Sequence, residues 1–187
     1  MQRDELEHIV AAAADVSGER EIVVIGSQAI LGSYPDPPQS MLFSVEADVY
    51  PRNDPARAEE IDGSLGDGSY FHGTFGYYAH GVGPETAVVP AGWEERLVRI
   101  EIQPRVGRAE GAIALCLEPH DLVLAKCVAG RERDWEFARA AIAADLVEID
   151  ELLARIPDLP RPDADRDHLR NMLLGLIAQL EKHGIGA

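Results

Sequence analysis

The chain has 187 residues, 33 of them Asp or Glu and 17 Lys or Arg, for a formal charge of −16. With 46% apolar and 27% charged residues it has a globular composition, long enough for one domain and a small helical extension. Such acidity excludes a general nucleic-acid coat protein or a basic membrane-surface binder, since both need a positive field. It leaves open an enzyme that reaches an anionic substrate through metal ions. The first seven residues carry mixed charges unlike a signal peptide, and no apolar run nears the ~20 residues that span a bilayer. Cys116 and Cys127 lie in apolar stretches without a close His or Cys partner. They read as reduced thiols of a cytoplasmic protein, not as zinc ligands.

In chain order, Leu6, Ile9, Val10 and Ala13 recur at helical spacing and predict a helix over about 4–16, ended by Gly18. The β-branched run at 21–26 reads as a buried strand, stopped by Gly26 and Ser27, after which 28–31 starts a short helix. Prolines at 35, 37 and 38 make the next stretch a loop. A second strand is expected at about 44–50, ended by Pro51. Asp54 followed by Pro55 predicts an N-cap and a helix to about Leu65.

Residues 66–84 are the least regular, with glycines from Gly66 to Gly83, no lysine or arginine, and the aromatics Tyr70, Phe71, Phe75, Tyr77 and Tyr78. A loop of that length is uncommon and often functional, and part of it can be helical. Three further strands are expected at 86–89, 97–103 and 112–117, the first two joined by a turn around Trp93. A helix follows from Glu118, and helical pieces near 132–144, 148–156 and 164–182 are separated by Gly130, Pro157, Pro160 and Pro162. The order predicts an α+β fold, a mixed β-sheet flanked by helices. Residues 1–145 form its main domain, and 146–187 a C-terminal helical extension packed on it. The last helix carries Leu169, Met172, Leu173, Leu176, Ile177 and Leu180 at helical spacing, a stripe that covers the core or forms a dimer seam.

The chemistry concentrates in Gly26-Ser27 and, about twenty residues on, in the strand holding Glu46 and Asp48. Two apart in a strand, those carboxylates share a face. They repel each other unless solvated, protonated or bridged by a cation, and Mg²⁺ prefers one or two carboxylates plus substrate phosphates. Gly26 permits close backbone approach to a phosphate, and the Ser27 hydroxyl and amide can bind its oxygens. The plain alternative is a solvated strand face beside an ordinary Gly-Ser turn. No Gly-x-x-x-x-Gly-Lys-Ser/Thr loop, Gly-x-Ser-x-Gly elbow or His-Glu-x-x-His helix is present. His72 and His80 match no metal-ligand spacing and read as loop histidines.

Val24-Ile25-Gly26-Ser27-Gln28-Ala29-Ile30, followed by the carboxylate strand, resembles the nucleotidyltransferase superfamily with its polymerase-β-like fold. So does the segment from Pro119 to Lys126 with the Arg131-Glu132-Arg133-Asp134 that follows, which is similar to bacterial AbiEii-like proteins. Trp93-Glu94-Glu95-Arg96-Leu97 fits an uncharacterised bacterial branch of that group. The resemblance covers about residues 20–145. It implies that Glu46 and Asp48 bind Mg²⁺ (or Mn²⁺), that Gly26 and Ser27 hold the phosphates of a nucleoside triphosphate, and that Lys126, Arg131 and Arg133 meet phosphate or pyrophosphate. Asp134 would orient Lys126 or an arginine, although 126–134 also reads as a solvated helix–turn–helix surface.

The superfamily's third carboxylate comes from a later strand. Glu101 is the candidate, beside the alternative of an exposed strand face shared with Arg99 and Gln103. Two departures stand out: Glu46 where Asp is usual, and Phe137 where relatives often carry a further acid. The resemblance therefore implies a Mg²⁺-dependent nucleotidyl transfer to a hydroxyl of RNA, a protein or a small molecule. The alternative is a catalytically inactive nucleotide- or protein-binding component of a toxin–antitoxin or regulatory system, working as a homodimer or with a cognate partner protein. An RNA acceptor would need a local basic groove, for which Arg105, Arg131, Arg133 and Arg139 are the material.

Overall fold

The computed structural model describes residues 1–104 and 111–182, so Arg105 lies outside the described residues. The chain divides into two compact units, Met1–Ala87 with Arg96–Glu118, and Val88–Glu95 with Pro119–Ala187.

The first unit begins with α1 (Arg3–Ser17), whose Leu6, Ile9, Val10 and Ala13 are buried as the spacing predicts. Gly18 ends it in the left-handed region at φ 68°, where a side chain is disfavoured. Strand β1 (Glu21–Val24) follows, and the short helix expected after it is a 3₁₀ helix over Ser27–Gly32. Strand β2 (Glu46–Pro51) leads through a 3₁₀ turn at Pro55–Arg57 into α2 (Ala58–Leu65). Asp54 caps that turn through its carbonyl, which accepts from Arg57 N at 3.1 Å, and its side chain takes no part. The Gly-rich stretch holds α3 (Tyr70–Phe75) and β3 (Tyr78–Gly81), and the unit closes with β4 (Val98–Glu101) and β5 (Ile113–Cys116).

These strands form one mixed sheet in the order β3-β2-β1-β5-β4, giving the α+β fold that the sequence predicts. Strand β1 runs antiparallel to β2 and parallel to β5, while β2–β3 is parallel and β4–β5 antiparallel. The expected strand at 86–89 does not form: Pro84–Thr86 is a 3₁₀ turn. Pro84 and Pro90 bracket that segment and offer no N–H to a ladder. The third strand is instead Tyr78–Gly81, whose His80 and Gly81 break any apolar run and of which only Ala79 is fully buried. Gly81 is required there, since a Cβ would stand 2.0 Å from the Ala58 carbonyl oxygen of α2.

That contact orients the sheet. Gly81 and Ala79 pair with Val49 and Ala47, so these four residues look toward α2. Glu46 and Asp48, and their partners Tyr78 and His80, occupy the opposite face.

The second unit is helical: α4 (Pro119–Ala129), α5 (Glu132–Ala143), α6 (Ile149–Arg155) and α7 (Asp163–Lys182). Gly130 turns the chain between α4 and α5 at φ 72°. Helix α4 packs on α5 and α6, and α5 on α7. Fully buried Asp121 accepts a bond from Arg155 at 2.8 Å, which joins α4 to α6. Of the α7 stripe, Leu169, Leu173, Leu176, Ile177 and Leu180 are buried, whereas Met172 is 45% exposed. Among the described residues, no helix is long and apolar enough to cross a membrane.

Burial pushes the Cys116 thiol in β5 and the Cys127 thiol in α4 up to about 12, with the Asp134 charge adding to the effect at Cys127. Each unit therefore carries one silent reporter. At pH 8 the thiolate fraction falls on the order of a thousandfold below that of an exposed cysteine. Labelling of single-cysteine variants with an aromatic disulfide is expected to be negligible in buffer and rapid in denaturant. Fast native labelling of the variant retaining Cys116 or Cys127 would contradict the packing around that thiol.

Candidate active site

The site in the first unit starts at the end of β1. The Ile25 amide donates to the Asp48 carbonyl at 3.0 Å, carrying the β1–β2 ladder one residue beyond Val24. The chain then turns at Gly26, which has extended dihedrals (φ −81°, ψ −172°) that any residue adopts. Glycine is needed here for space: a Cβ at position 26 would lie 2.2 Å from Asp48 Oδ2. The Gly-Ser turn and the acidic strand, twenty residues apart in sequence, are thus in direct contact.

Neighbouring bonds hold the start of β2. Gln28, fully buried, donates through Nε2 to the Ser44 carbonyl at 3.2 Å, while its Oε1 finds no partner among the described residues. The terminal ammonium of Met1 donates to the carbonyls of Leu42 and Ser44 at 2.7 and 3.0 Å. The Ser44 hydroxyl accepts from the Glu46 amide at 3.2 Å. Glu46 therefore enters the sheet from an anchored segment rather than from a loose loop.

Each acid has a partner on β3. The Tyr78 hydroxyl donates to Glu46 Oε2 at 2.8 Å, and His80 Nδ1 lies 2.9 Å from Asp48 Oδ1. The parallel register explains both contacts, because Glu46 stands opposite Tyr78 and Asp48 opposite His80. The His72 ring of α3 lies against Tyr78 with centroids 4.7 Å apart. The hydrogen bond to Glu46, then burial, then the nearby carboxylate charges push the Tyr78 hydroxyl up to about 12. It is a permanent donor at neutral pH. His72 and His80, expected in a loop, stand instead in α3 and β3, and the i, i+2 spacing of Tyr78 and His80, which repeats that of the two acids, was the signal for their shared strand face.

Glu101 lies on the same face but is not brought to these acids. In the sheet, β1 and β5 stand between β2 and β4. Glu101 pairs with Ile113, which pairs with Glu21, whereas Asp48 aligns with Ile25 at the other end of β1. Three strand spacings and four residues of rise separate them by on the order of 15–20 Å. At its own end Glu101 accepts from Arg99 at 3.4 Å, and Arg99 and Arg52 reach Glu21 at 3.1 and 3.4 Å. This is an ion-paired strand face with Glu101 74% exposed.

In the second unit, Lys126 of α4 lies 3.4 Å from the carboxylate of Asp134 in α5, which is only 2% exposed. Asp134 also accepts from the Arg131 amide at 3.3 Å, capping the start of α5. The Lys126 ammonium lies 5.9 Å from the centre of the Phe137 ring, so an aromatic face borders the cation. Arg131 and Arg133 are exposed at the first turn of α5. Arg139, farther along, donates to Gln179 at 3.4 Å.

Among the described residues, no three His, Cys, Asp or Glu side chains are grouped to hold a metal ion. The two acids on β2 nevertheless fit Mg²⁺ or Mn²⁺ in donor chemistry, since such ions take one or two carboxylates and complete their shell with water and phosphate. The space beside Asp48 Oδ2 is one that a Cβ at position 26 would fill.

Two outcomes follow. Gly26→Ala should lower stability by about 1–3 kcal/mol through overpacking, and by less in an Asp48→Ala background, as read by a denaturant double-mutant cycle. Additive effects would mean that position 26 does not meet the carboxylate. Because the folded Tyr78 hydroxyl titrates above its unfolded value of 10, its stabilising share is complete below pH 10 and lost as pH rises through about 12. Stability should therefore fall more steeply over that window in the wild type than in Tyr78→Phe, followed by urea midpoints at each pH.

No curated protein and no solved structure matched the chain when it was compared with them. A family profile covers residues 4–172, which takes in β1, the acidic strand, the helical Lys126–Asp134 segment and the first half of α7. On that match the chain belongs to the family described as nucleotidyltransferase of unknown function (DUF6036).

Proposed function

We propose that the chain is a Mg²⁺-dependent (or Mn²⁺-dependent) nucleotidyltransferase that moves a nucleotidyl group from a nucleoside triphosphate to a hydroxyl. The observation that carries this reading is the contact of Gly26 with Asp48, which joins a phosphate-approach turn to a two-carboxylate strand face. Glu46 and Asp48, each with one hydrogen-bonded partner on β3, would hold the metal. When bound, the metal supplies positive charge that lowers the acceptor hydroxyl's pKa and offsets charge on the reacting phosphate.

The chain's own groups do the rest. Tyr78 and His80 fix the rotamers of the acids, so little reorganisation is needed on binding. Gly26 and Ser27 meet the phosphates, the former by close approach and the latter through its hydroxyl. Lys126, Arg131 and Arg133 form the second unit's phosphate-binding group, with Asp134 holding the lysine in place. The acceptor hydroxyl gives up its proton to solvent, its oxygen bonds to the α-phosphorus as the bond to the oxygen leading to the β-phosphate breaks, and pyrophosphate leaves. RNA, a protein side chain and a small molecule all offer a suitable hydroxyl.

A second reading, nucleotide or protein binding without transfer in a toxin–antitoxin or regulatory role, draws on the same contacts. One oxygen of each acid is already hydrogen-bonded within the sheet, an arrangement that a purely structural face would also show.

The test is incubation with each labelled nucleoside triphosphate, Mg²⁺ or Mn²⁺, and total RNA or cell lysate, beside Asp48→Ala. Transfer of label should fall by roughly a hundredfold or more in the variant, as expected for loss of a charge-stabilising group. Metal-dependent nucleotide binding without transfer would support the second reading. Neither transfer nor metal-dependent nucleotide binding in the wild type would overturn the transferase reading and the nucleotide-binding form of the second.

A further inference from the structure

The second unit contains a pocket of about 370 Å³ that no part of the reading above uses. Its walls come from the end of α4, from α5, from the Pro-rich segment after α6 and from the first half of α7. That volume falls in the range of pockets that enclose small organic ligands. Leu159 and Leu169, both buried, form part of the base, and partly exposed Trp135 supplies an aromatic wall. Met172 breaks the buried stripe of α7 and stays 45% exposed because it turns to this pocket rather than to the core. An indole and a thioether lining the same pocket suit a flat aromatic ring, which gains dispersion and stacking contacts from both.

Basic side chains outnumber acidic ones among the residues that line the pocket, against the trend of the chain as a whole. Arg161, Arg166 and His168 line the rim against a single acid, Asp165, in a chain of formal charge −16. The Arg166 guanidinium is held in place by the Pro157 carbonyl and the Asp163 carboxylate. These bonds use two of its five N–H donors and fix the orientation of the others. A cationic edge over an apolar, aromatic base is complementary to a molecule with an aromatic body and an anionic group at one end.

We propose that this pocket is a binding site for a small aromatic anion, a ring bearing a carboxylate, sulfonate or phosphate. The ring lies between Trp135 and Met172, and the anionic group meets Arg161 and Arg166 at the rim. The site is independent of the carboxylate face on β2, so its fate does not depend on whether the protein transfers nucleotides.

The test uses the full chain and 8-anilinonaphthalene-1-sulfonate, titrated by fluorescence with excitation of tryptophan to read energy transfer. Saturable binding at one site is expected, weakened about tenfold or more by Arg161→Glu, in keeping with loss of a charge-assisted contact. Met172→Trp, at a half-exposed position, should fill the pocket and abolish binding while circular dichroism stays unchanged. The uncharged analogue N-phenyl-1-naphthylamine should bind at least tenfold more weakly. Arg139→Glu, a cation on α5 outside the pocket, should bind like the wild type. Non-saturating binding, equal affinity for the uncharged analogue, binding that survives Met172→Trp, or equal losses from Arg161→Glu and Arg139→Glu would each overturn the proposal.

Discussion

The candidate site rests on a space that one missing side chain leaves open. Gly26 ends the central strand β1 at the point where the Asp48 carboxylate of β2 projects, and the two come close enough to exclude even a methyl group. The amide of Ile25 pairs with the carbonyl of Asp48 in the same place, so backbone and side chain fix one alignment together. Any shift of register by one residue would turn Glu46 and Asp48 toward α2 and bring Ala47 and Val49 out to the other face. The apolar packing of α2 against Gly81 and Ala79 therefore enforces the direction of the acids without touching them.

Strand β3 adds the chemistry that the acids lack. A pair of carboxylates on one face repels, and the cost is offset where each gains a donor. Tyr78 donates to Glu46 throughout the physiological pH range, because its hydroxyl is held up to about 12 by that bond and by burial. His80 lies against Asp48 with its side chain half exposed, so this end of the face is open to solvent and ligand. The contrast with Glu101 is instructive: it shares the face, yet its charge is absorbed by a string of arginine and glutamate partners at the far end.

The second unit manages charge by pairing buried acids with basic side chains at element junctions. Asp121 with Arg155 and Asp134 with Lys126 each join two helices, and Asp134 also caps one. The exposed side chains of Arg131 and Arg133 at the start of α5, and of Arg161 on the rim beside α7, are set apart from those two pairs. In a strongly acidic protein such local positive ground gains selectivity for anions, since the surrounding field repels them elsewhere.

Local features were legible from residue order alone. Helical spacing in Leu6, Ile9, Val10 and Ala13, the glycine and proline breaks, and the period-2 placement of Glu46 and Asp48 each report on neighbours within a few residues. Strand and helix geometry turn that spacing directly into a shared face. The Gly-Ser turn and acid-x-acid order also carried the relationship to nucleotidyltransferases, which the family match over residues 4–172 bears out without placing the chain in the AbiEii-like branch. Partnership across the sheet was not legible, because strand order and register are set by packing between segments far apart in the chain. Tyr78–Gly81, poor in apolar residues, became the strand beside the acids, while the more apolar 86–89 did not become a strand. The alternation that made Glu101 a candidate identified its face correctly. Only the order β3-β2-β1-β5-β4 decided that it would stand at the opposite end of the sheet from Asp48.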